Sequence, residues 1–67
     1  MSITLSTEEN IRDTVDSLGE VIKYLKRIRI DVSADPAMTS LVESLQENAS
    51  SSRTKLRELQ DRIRTTH

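Results

Sequence analysis

The stretch Val32-Ser33-Ala34-Asp35-Pro36 decides the fold. It separates two apolar series: Ile11, Val15, Leu18, Ile22, Leu25 and Val32 before it, and Met38, Val42, Leu45, Ala49, Leu56, Leu59 and Ile63 after it. Spacings that alternate between four and three place each series on one stripe of a helix, the seam geometry of helices packed side by side. Asp35-Pro36 has the chemistry of a helix start, with Asp35 as N-cap and Pro36 at the first helical position, where its missing amide costs nothing. The stretch therefore reads as the turn of an all-α, two-helix antiparallel coiled-coil hairpin. Helix 1 is expected over about residues 7–32, the turn at 33–35 and helix 2 over about 36–64, in a single domain.

The outer ends carry signals of their own. Ser6-Thr7-Glu8-Glu9 fits a capping box, and Glu8 and Glu9 suit the positive end of a helix dipole. Lys23, Lys26, Arg27 and Arg29 suit the negative end of helix 1. The run Asn48-Ala49-Ser50-Ser51-Ser52 could split helix 2, yet the heptad phase passes through it unbroken and no acidic residue follows to cap a third helix. One continuous helix is expected, which gives two helices of matched length, roughly 40 Å each.

Composition narrows the function classes. A chain of 67 residues with no cysteine has one thin core and no disulfide or thiolate-zinc staple, so its stability must come from helix packing and from another chain. The single histidine, His67, cannot anchor a metal site and reads as a tail residue. No Gly-rich phosphate loop or nucleophile–base pair is present, and the carboxylates follow solvent-face spacing, so neither an enzyme nor a cofactor protein is expected. A net charge of −1 argues against nucleic acid as the default partner. The start, Met1-Ser-Ile-Thr-Leu-Ser-Thr-Glu-Glu, has no basic or apolar leader region, and no apolar run approaches the roughly 20 residues of a membrane span. A cytoplasmic protein is expected.

Antiparallel pairing about the turn places Leu25 near Leu45, Ile11 near Leu59, and Gly19 near Ser50 and Ser51. It also sets the acidic half of each helix beside the basic half of the other, which opposes a parallel alternative. In heptad notation Ile11, Leu18, Leu25, Met38, Leu45 and Leu59 are d positions, and Val15, Ile22, Val42, Ala49 and Leu56 are a positions. Val21, Ile28 and Leu41 then fall at g and Tyr24 at c, on one flank near the turn. The opposite flank, with Arg12, Gly19, Lys26, Thr39, Gln46 and Arg53, is polar. Widening of a core stripe to three columns is common in bundles, but a two-helix hairpin has no third layer to cover it. Val21, Tyr24, Ile28 and Leu41 are therefore the candidate partner-binding residues, with Leu5 as an outlying contact.

A hairpin of this size, the basic Lys23-Tyr-Leu-Lys-Arg-Ile-Arg end of helix 1, the short turn, and Leu41-Val-Glu-Ser-Leu followed by small residues resemble the YscE-type co-chaperones of type III secretion, over roughly residues 8–64. The turn Ser33-Ala34-Asp35-Pro36 departs from the glycine turn frequent in that family. The resemblance implies a cytoplasmic protein that pairs with a larger, helical-repeat chaperone and helps hold the needle subunit unpolymerised. The alternative is self-association into a Rop-like homodimeric four-helix bundle that binds RNA through Lys23, Lys26, Arg27 and Arg29.

Overall fold

The computed structural model describes residues 5–66. Helix α1 spans Leu5–Asp31 and helix α2 spans Pro36–Thr66, and they lie side by side as an all-α hairpin about 50 Å long and 15 Å across. His67, read above as a tail residue, lies outside the described residues. Helix α2 runs unbroken through Asn48–Ser52, as the heptad phase requires. Helix α1 begins at Leu5, which places Ser6 inside its first turn and not ahead of it as a cap.

The turn is built as its chemistry demands. The Asp35 carboxylate accepts from the amides of Ala37 at 3.0 Å and Met38 at 3.2 Å, so it caps α2 immediately before Pro36. The turn is closed by hydrogen bonds in which the Asp35 amide donates to the Val32 carbonyl and the Ser33 amide to the Ile30 carbonyl. The Thr39 hydroxyl donates between two carbonyl oxygens, Val32 at 3.1 Å and Asp35 at 2.9 Å. Thr39 is thereby held facing α1.

That orientation sets the rotation of the whole second helix. Residues seven apart share a helix column, so Gln46, Arg53 and Gln60 follow Thr39 toward α1, and all four are half-buried. The seam of α2 runs through these polar residues and the column Val42, Ala49, Leu56 and Ile63. The d column is therefore not in the seam: Met38, Leu45 and Leu59 are about half exposed, contrary to the sequence expectation. Helix α2 has two apolar columns, with Leu41 alone in a third beside them, and a single neighbour. The column beside Thr39 packs against α1, and the other two turn outward.

Helix α1 keeps the expected seam, with Ile11 and Val15 buried and Leu18, Ile22, Leu25 and Val32 half-buried. At the open end Ile11 and Val15 pack with Ile63, and Leu56 lies against them, so Ile11 meets Ile63 where the sequence register placed Leu59. Gly19 faces Arg53, not Ser50 and Ser51: a methyl group built at Gly19 would sit 3.5 Å from Arg53 Nη2, an ordinary contact. The glycine leaves a hollow that the guanidinium covers, and a long polar side chain can thus occupy a seam position.

Two measurements test this packing. Ile63→Ala is expected to cost about 2 kcal/mol, because it empties the best-buried site in the hairpin, 4% exposed, whereas Leu59→Ala is expected to cost less than about 1 kcal/mol. Equal losses in chemical denaturation would place Leu59 in the seam after all. Gly19→Ala is expected to raise the melting temperature by about 5 °C, since alanine is the better helix former by about 1 kcal/mol and the added methyl group is accommodated. A fall in melting temperature would show that the guanidinium of Arg53 needs the hollow over Gly19 empty.

Candidate protein-docking face

The outward rotation of α2 enlarges the candidate flank. In α1 the g and c columns place Val21, Tyr24 and Ile28 on the side of the hairpin that continues past its d residues. In an antiparallel pair the corresponding columns of both helices lie on the same flank, so Met38, Leu45 and Leu59 join Leu41 there. Leu41 is 67% exposed, and Tyr24 and Leu45 are each 53% exposed. The structure thus gathers the four predicted residues with three more that periodicity alone had assigned to the core.

Six of these seven, Val21, Tyr24, Ile28, Met38, Leu41 and Leu45, lie in the half of the hairpin nearest the turn. From Met38 to the level of Val21 is a distance of about 20 Å at 1.5 Å per residue. Leu59 stands apart toward the open end. Between them the flank carries Ser17, Asn48, Ser51 and Ser52, which are uncharged, and Lys55 in the column of Leu41. Leu5 does not extend the face, because it borders a shallow depression with Glu8, Arg12, Gln60 and Arg64 on the opposite flank.

Charge at the face is low and partly engaged. The Arg27 guanidinium sits 5.4 Å from the centre of the Tyr24 ring, a cation–π contact that holds the ring beside its own helix. Lys23 stands one helical turn before Arg27 on the same face. Lys26 and Arg29 border the polar groove of the opposite flank together with Glu43, Gln46 and Ser50. Arg29 pairs with Glu43 at 3.3 Å, joining the basic end of α1 to the acidic start of α2. The four cations thus lie within about half of the circumference of α1, on the side away from the apolar flank, and one of them, Arg29, is paired with Glu43.

Among the described residues one buried side-chain polar atom has no hydrogen-bond partner: Arg53 Nε, which lies against α1 over Gly19. No group of three or more metal-ligating side chains occurs among the described residues, and none of their helices is long and apolar enough to cross a membrane. What the described residues offer chemically is an apolar surface with helical spacing. No protein-family model, curated protein or solved structure matches the chain.

The heptad pattern did not reveal that Met38, Leu45 and Leu59 belong to this face, because an a/d assignment puts the middle of a three-column stripe inward by default. The signal that bears on it is local: Thr39, three residues into a Pro-initiated helix, has a hydroxyl able to bond the turn carbonyls and so choose the inward column.

The ion pair at the edge of the groove supplies the prediction here. Arg29→Gln is expected to lower stability by less than about 1 kcal/mol, since both partners are half exposed, and the difference from wild type is expected to vanish in roughly 1 M salt. A salt-independent loss in denaturant titrations would mean that the Arg29 stem, and not its charge, holds the helices together.

Proposed function

We propose that this chain is a non-enzymatic protein-binding hairpin that packs its apolar flank against helices of another protein. One observation carries the reading: Val21, Tyr24, Ile28, Met38, Leu41 and Leu45 are all exposed, and their helix columns put them on one flank that the hairpin's own seam does not use. Monomeric soluble proteins rarely leave an apolar patch of several hundred square ångströms uncovered without a role in binding. The columns repeat every seven residues, the spacing that inserts side chains between those of a facing helix. The resemblance to YscE-type co-chaperones adds a class of partner: a larger, helical-repeat chaperone that, with this hairpin, keeps an export needle subunit unpolymerised in the cytoplasm.

The test is capture from the native cell, identified by mass spectrometry, with circular dichroism beside it. Leu45→Glu is expected to remain helical yet lose the proteins captured by the wild-type chain, because it would place an unpaired charge in the contact. Val42→Glu is expected to lose helicity itself, since Val42 is 7% exposed within the seam. Identical captured sets for the wild-type and Leu45→Glu chains would refute the docking face.

A further inference from the structure

The flank opposite the apolar one carries a groove with two lobes that share Lys26, Arg29 and Gln46. One lobe continues to Ile22, Glu43, Glu47 and Ser50. The other, nearest the turn, has a volume of about 460 Å³ and is completed by Ile30, Ser33 and Thr39. Three of its side chains have no role in holding the hairpin together. Ile30 is 73% exposed, more than any other large apolar side chain of the described residues, although it stands among polar groups. Lys26 has no ion-pair partner among the described residues. The Gln46 side chain is half-buried toward α1, yet it makes no hydrogen bond among those residues.

The charges of this lobe select the ligand. Arg29 Nη2 bonds Glu43 at 3.3 Å, so the lobe keeps one uncompensated positive charge, that of Lys26, and Arg29 keeps its remaining N–H donors. The neighbouring aspartates do not cancel it: Asp35 is engaged in capping α2, and Asp31 falls in the column of Tyr24 on the other flank. One monoanion neutralises such a site, whereas a phosphate monoester, at about −1.5 to −2, would bring excess negative charge beside Glu43 and Glu47. The hydrogen-bonding groups narrow the choice further. The Thr39 proton is committed to the turn carbonyls, so its oxygen is left to accept, and the Gln46 amide both donates and accepts. Those two groups match the N–H and C=O of a peptide unit. We infer that the turn-side lobe is a binding site for the C-terminal residue of a peptide, whose free carboxylate is held by Lys26 and Arg29 and whose aliphatic side chain covers Ile30. The site is separate from the apolar flank and does not depend on what that flank binds.

Titrating the isotope-labelled full chain with an acetylated alanyl-leucine peptide bearing a free carboxylate, and following amide chemical shifts, tests the site. Saturable shifts are expected at Lys26, Ile30, Ser33, Thr39 and Gln46, with Kd on the order of 1 mM for so few contacts. The same peptide as its C-terminal amide is expected to bind at least about tenfold more weakly. Lys26→Gln is expected to weaken binding of the acid by about tenfold, while Lys23→Gln, an equal loss of charge outside the groove, leaves it unchanged. Both lysines are exposed, so neither change is expected to alter helicity; if one does, the acid and amide peptides on the wild-type chain decide. Equal affinity for acid and amide, equal losses in the two lysine variants, or shifts centred on Leu41 and Leu45 would overturn the inference. Octanoate bound as tightly as the peptide would overturn it in favour of a simple acyl carboxylate.

Discussion

The hydroxyl of Thr39, held between the carbonyls of Val32 and Asp35, determines which way the second helix faces. A helix is rigid about its axis on the scale of one column, so an orientation chosen at residue 39 is transmitted to residue 60. Had the d column faced inward, Met38, Leu45 and Leu59 would have filled the seam, and a polar flank would have closed around them. With Thr39 inward, Gln46, Arg53 and Gln60 enter the seam, and leucine and methionine are displaced to the surface. The exposed apolar flank is thus the counterpart of the turn: one hydrogen-bonded side chain sets both.

The seam that results is mixed. Val42, Ala49, Leu56 and Ile63 supply apolar contact, and each is offset along the helix from a polar neighbour that covers the joint. Polar seam positions weaken helix pairing, but they discriminate among registers better than an all-leucine seam, in which a shift of one heptad still matches leucine with leucine. Arg53 illustrates the point. Its guanidinium lies over Gly19, the only glycine of the chain, and a shift by one heptad would set it against a side chain with no hollow beneath it.

The positions of the helices, the capped turn at Asp35-Pro36 and the continuity of α2 through its serine run could all be read from the amino-acid sequence, because each depends on residues near one another in the chain. Val21, Tyr24, Ile28 and Leu41 could be placed outside an a/d seam for the same reason. The rotation of α2 could not be read from its stripe, since the apolar d and a columns, flanked by Leu41 at g, do not specify which one meets α1. The choice depends on contacts made across the turn and on the pairing of Gly19 with Arg53, neither of which appears in periodicity. Register failed in the same way: Ile11 meets Ile63, because a rotated helix presents its a residues where d residues had been expected.

The cluster of Ile11, Val15, Leu56 and Ile63 lies at the open end, as far from the turn as the molecule allows. Bringing those side chains together closes a loop of about fifty residues, the largest entropic step available to this chain. A molecule zipped only part of the way from Asp35 toward its termini has therefore met much of that cost without reaching its tightest contact. Partly zipped states are disfavoured, and the free ends are fastened where hairpins ordinarily fray. Opening from the free ends has therefore to break this cluster before the rest of the seam.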